Sequence, residues 1–154
     1  MTGRKLISTG IASALIVLAG SPLPATATRG QTAHFARALR ATDTAYLHRI
    51  KRPGSGLIEE GTAHGNLPGT MHADLYLGGT FTATFTIYLH GGTITGNGKA
   101  APHGTGIYES FAGTLTVTGG SGIYKNASGR AGLYGTFNRR TYALVVQTTG
   151  ALSY

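Results

Sequence analysis

His72, Asp74 and Tyr76 stand at alternate positions of the stretch "TMHADLYL". In an extended chain, residues two apart share a face, so an imidazole, a carboxylate and a phenol would form one row. Such a row can pass protons in acid–base catalysis, or hold a metal if further ligands join it. The choice depends on which way the row points. Met71, Ala73, Leu75 and Leu77 fill the other face, and apolar side chains compete best for an interior. They favour His72, Asp74 and Tyr76 on the solvated surface. Glu109 is a fourth candidate catalytic group. His64, His90, His103, Glu59 and Glu60 complete the titratable set of the region. No H-x-H or H-x-x-x-H pair is present, so the sequence calls for no metal and no cofactor.

Glycine-rich stretches raise the question of phosphate binding. Gly104-Thr105-Gly106 and Gly120-Ser121-Gly122 have Glu109 and Lys125 where a dinucleotide fingerprint needs its third glycine, and neither opens a helix. Gly96-Asn97-Gly98-Lys99 lacks both the first glycine and the Ser/Thr of a P-loop. Ser121 is followed by Gly122 and Ile123, so it is no nucleophile elbow. These stretches read as turns or strand kinks, since glycine reaches positive φ at little cost.

The elements that carry these residues are strands. "TFTATFTIYLH", Thr80 to His90, puts Phe81, Ala83, Phe85, Ile87 and Leu89 on one face and threonines with Tyr88 on the other. The alternation recurs in "FAGTLTV", "AGLYGTFN" and "TYALVVQT". Turns fall at "LGG", "HGG", "HGTG", "GGSG" and "NRR". No stretch after Arg52 offers two turns of amphipathic helix. The pattern predicts seven or eight antiparallel strands, best closed into an all-β barrel of about eight strands, because closure removes exposed edges. Gly113, Gly132 and Gly135 inside strands suit bulges or bends. Phe81, Phe85, Phe111 and Phe137 are expected as core or as the lining of a ligand site.

The chain before the barrel reads differently. Arg4 and Lys5, the apolar run Leu6–Gly20 and the ending Ala25-Thr26-Ala27 have the form of a secretory signal peptide, residues 1–27. The expected product is secreted, to the extracellular space or cell envelope, with no membrane span after cleavage. Thr28 to Arg52 reads as a basic linker or a short helix, with Phe35, Leu39, Tyr46, Leu47 and Ile50 at loose helical spacing, and the barrel domain as 53–154. With no cysteine, disulfides and thiolate chemistry are excluded. The formal charge of +8 is placed mostly on the leader and linker. A basic arm of that kind touches an acidic cell envelope or nucleic acid, or is simply a solvated linker. The barrel shows no basic stripe with interleaved aromatics, which argues against sequence-specific nucleic-acid binding.

Phe111, Gly113, Thr114, Val117, Thr118, Gly119, Gly120, Gly122, Tyr124, Ala127 and Gly129 form a pattern that resembles the signature of the allene oxide cyclase–dirigent barrel superfamily, in particular its small secreted bacterial members. The resemblance spans Gly56 to Tyr154. It implies an eight-stranded antiparallel barrel, often trimeric, with one open end lined by apolar side chains. Plant relatives cyclise an unsaturated epoxide or steer phenol radical coupling, using acidic and polar residues inside the cup. Those residues do not align onto this chain, because the shared signature is the turn. Three functions are therefore expected: a non-enzymatic barrel binding a small apolar ligand or acting at the cell surface, an isomerase or cyclase using the cup, or a structural envelope protein.

Overall fold

The computed structural model describes residues 37–154; the expected signal peptide lies outside the described residues. Eight strands follow one another: β1 (Ala38–Lys51), β2 (Gly56–Gly65), β3 (Gly69–Leu77), β4 (Phe81–Leu89), β5 (Gly92–His103), β6 (Tyr108–Gly120), β7 (Ser128–Asn138) and β8 (Leu144–Ser153). Each pairs antiparallel with the next, and β8 returns to β1 to close the barrel.

Alternation sets the two faces. On β3, Met71, Ala73 and Leu75 are buried while Thr70, Asp74 and Tyr76 are exposed. On β4, Phe81 and Phe85 are buried while Thr82, Thr84 and Tyr88 are exposed. The inward positions Leu47, Leu57, Ile94, Phe111, Phe137, Leu144 and Val146 complete the core. Apolar inside and polar outside is the reverse of a barrel whose outer wall meets lipid.

β1 corrects the reading of residues 28–52 as a linker or short helix. Residues 38–51 are the barrel's first strand. Ala45 and Leu47 are buried, and the alternate positions Tyr46 and His48 are exposed. The strand was disguised because much of its inward face is small or polar: Ala41, Asp43, Ala45. Without it, β8 would be an open edge with unpaired N–H and C=O groups. The boundary at 52/53 therefore falls in the β1–β2 turn. The charge moves with it. Residues 37–154 hold ten cations (Arg37, Arg40, Arg49, Lys51, Arg52, Lys99, Lys125, Arg130, Arg139, Arg140) against five acids (Asp43, Glu59, Glu60, Asp74, Glu109). The barrel itself is basic.

Eight strands curled this tightly leave little room on the inside, and glycine supplies it. Phe85 faces Gly96 across the β4–β5 ladder, and Phe111 faces Gly135 across β6–β7. A Cβ on either glycine would come within 2.6 Å of the facing phenylalanine ring. Each ring thus lies over the bare backbone of its partner, a close aromatic–glycine fit. Gly113, Gly132 and Gly135 lie in regular register; the breaks fall between Arg49 and Lys51 and between Thr95 and Gly96.

The glycine-rich turn after β6 closes one end. Gly122 has φ +60, opening a short 3-10 turn over Gly122–Tyr124. Buried Tyr124 then packs on Tyr154 with ring centroids 4.8 Å apart. This glycine-rich turn is a plug, not a phosphate cradle.

Gly96→Ala should lower stability by about 1–3 kcal/mol, because the added methyl collides first with the Thr116 carbonyl oxygen and then with Phe85. Gly132→Ala should be neutral within about 0.5 kcal/mol, since its nearest neighbour would be 3.8 Å away. Paired denaturant titrations check both.

Candidate functional site

The row on β3 faces solvent, as its apolar neighbours implied. His72 Nδ1 donates to Glu60 Oε1, 3.1 Å away, and its Nε2 lies 3.8 Å from Asp74 Oδ2. Glu60 sits opposite His72 in the β2–β3 register, and His48 sits opposite Glu60 on β1. Tyr76, at the end of the row, is 53% exposed. This is a solvated wall cluster, with bulk water free to compete for every proton. Among the described residues, no group of three or more His, Asp or Glu side chains is placed to hold a metal ion.

Glu109 is separated from that row by the barrel wall. It points inward from β6 and is buried, where Oε1 accepts a hydrogen bond from Arg139 Nη2 at 2.6 Å. Oε2 has no protein partner. The four sequence candidates therefore form no single site.

Two carboxylates missed as site residues also face inward. Glu59 is completely buried between Leu57 and Gly61, and neither of its oxygens has a hydrogen-bond partner. Burial pushes its pKa up to about 7, against the opposing pull of Arg49. Arg49 lies opposite it in the β1–β2 register. Asp43, near the other end of β1, is half-buried. Burial raises its pKa, while the backbone N–H of Leu67, donating to Oδ1 at 2.7 Å, pulls it back. Adjacent Glu59 and Glu60 were the available signal: on a strand, one of two neighbours must face inward.

The phenylalanines divide the interior. Phe81 packs on Phe111 and Phe137 with centroids 6.0 and 6.1 Å apart, and Phe137 packs on Tyr142 at 6.0 Å. Two small voids lie among the described inward residues. One, about 70 Å³, runs from Asp43, Ala45 and Leu67 to Phe85 and Val146. The other, about 60 Å³, is bounded by Phe81, Phe111, Leu133 and Leu144. Met71, Phe85, Leu115 and Val146 line both and form the partition. The open apolar end implied by the resemblance is narrowed by these aromatics. Phe81, Phe85 and Phe111 line void; Phe137 is core.

Glu59 fixes the sign of the pH dependence. Its folded pKa of about 7 exceeds its unfolded value of 4.5. Between these values the folded state keeps a proton the unfolded state has released, so stability falls as pH rises through this window. The loss amounts to about 3 kcal/mol above pH 7. Asp43, also raised, acts with the same sign. Thermal melts from pH 4.5 to 8 should show a falling Tm, and Glu59→Gln should flatten most of that fall.

No protein-family model, curated protein or solved structure matches this chain.

Proposed function

We propose that this protein is an exported, non-enzymatic barrel that holds a small apolar ligand in its interior. The observation that carries the reading is the pair of apolar voids sharing Met71, Phe85, Leu115 and Val146. Each is far below the roughly 300 Å³ of an ordinary ligand pocket. They suit a narrow occupant of a few heavy atoms, or a short alkyl chain if the flexible Met71 side chain swings aside to join them. Export rests on the pattern over Met1–Ala27. Distant kinship to the allene oxide cyclase–dirigent barrels, with trimeric assembly, is part of the proposal; the eight-strand closed meander and the Gly122–Tyr124 turn support it.

An isomerase or cyclase acting inside the barrel is the second reading. The observation in its favour is Asp43, a carboxylate of raised pKa that lines the larger void. His72, Asp74, Tyr76 and Glu109 line neither interior void. A structural envelope role draws its support from the basic surface instead.

Benzene or xenon titrated into the folded protein should raise Tm, because a ligand that binds only the folded state stabilises it by mass action. Val146→Phe, which fills the partition, should abolish the rise. Val146→Ile, a smaller filling, should reduce it and guards against a misfolded phenylalanine variant. No shift in the parent protein, or an equal shift in both variants, contradicts an interior ligand site.

A further inference from the structure

One rim of the barrel gathers the turns 52–55, 78–80, 104–107 and 139–143. None of these turns contains an acidic residue. Arg49, Lys51 and Arg52 reach this rim from the end of β1, and Arg139 and Arg140 from the β7–β8 turn. The five cations are brought together on a single ring. Arg49 Cζ lies 4.2 Å and Arg52 Cζ 5.4 Å from the centroid of Tyr142, and Arg52 Nη1 donates to Tyr142 Oη at 2.7 Å. Tyr142 is held in a left-handed conformation, φ 62, by a turn in which Asn138 accepts three backbone N–H groups. Glu109, buried beneath this ring, pairs with Arg139, and Glu59 is buried opposite Arg49; the exposed Asp74 lies on the outer wall in the register row of Ile58 and Lys51.

The same rim exposes apolar tips. Ile107 is 46% exposed and Tyr108 72%. The Ile107 carbonyl accepts the Arg139 backbone N–H at 2.8 Å, which fixes the tip beside the cations. Ile50, 49% exposed, sits at the break in β1 register between Arg49 and Lys51, where a bulge re-aims side chains at a barrel rim. The opposite rim has Ile123, 62% exposed, as its apolar tip.

We propose that this rim docks on an anionic lipid surface. Clustered Arg and Lys are drawn to acidic headgroups, and the aliphatic and tyrosine tips between them enter the headgroup–acyl boundary. A bilayer satisfies both features at once. A nucleic acid or a soluble polyanion answers the charge but leaves Ile50, Ile107 and Tyr108 in water. The Tyr142 ring is already covered by two guanidinium groups and Phe137, so it is no platform for base stacking. The docking surface is separate from the interior voids, and its failure would leave that reading intact.

The chain contains no tryptophan, so Ile107→Trp provides a unique fluorescent reporter. In a chain starting at Thr28, which holds every strand of the barrel, I107W should bind vesicles rich in phosphatidylglycerol at low salt with a blue shift. It should not bind vesicles of phosphatidylcholine alone. Lys51 and Arg140 enter none of the side-chain contacts described above, so Lys51→Glu with Arg140→Glu tests charge without disturbing the crown. Losing two cations at roughly fivefold each should weaken binding by about 25-fold or more. Three results overturn the proposal: no binding to the anionic vesicles, binding insensitive to the double charge reversal, or equally strong binding to polyphosphate or DNA with no blue shift on vesicles.

Discussion

The β1–β8 ladder is the interaction on which the rest depends. It runs from Ala38↔Ser153 to Leu47↔Leu144 and turns a twisted eight-strand meander into a cylinder without edges. Once the sheet closes, inward side chains from all strands compete for a narrow axis. The chain meets this by setting large against nothing: Phe85 over Gly96 and Phe111 over Gly135. Glycine within a strand normally weakens it through lost packing and entropy. Here the facing ring covers the exposed backbone, and the cost is offset by aromatic burial of the order that dominates cores.

An interior of this kind has few ways to tolerate charge, and the barrel uses two. Glu109 pairs with Arg139, which reaches in from a turn. Glu59 has Arg49 nearby but no hydrogen bond to either oxygen, and burial moves it toward the protonated form near neutrality. Both sit toward the same rim, under the arginines that crowd Tyr142. One end of the barrel is thus an aromatic floor carrying a cationic crown. The other is plugged by Tyr124 against Tyr154. The two ends are chemically distinct, although the wall between them is a uniform meander.

Much of this was legible in the residues. Thr80 to His90 alternates so regularly that β4 needed no further support, and the apolar partners of His72 and Asp74 correctly pointed that row outward. β1 was not legible. Its inward positions include Ala41, Asp43 and Ala45, too small or polar to mark a period of two, and its arginines imitate a solvated arm. Glu59 was hidden for the opposite reason: a carboxylate at an apolar-phase position looks like a register error unless the strand is already known. Phe–Gly pairing could not be read either, because it depends on register between strands rather than on spacing within one.

The closure of the barrel by β1 is most directly tested by native-state hydrogen exchange of the β1 amides. If Ala38–Lys51 is the eighth wall, the hydrogen-bonded amides of β1 will be protected to the same opening free energy as those of β4 and β7, because the barrel opens only as a unit. If β1 amides exchange at the rate of an unstructured peptide while the rest stays protected, the closed barrel is wrong. The interior, the buried carboxylates and the cationic rim would then need a different account.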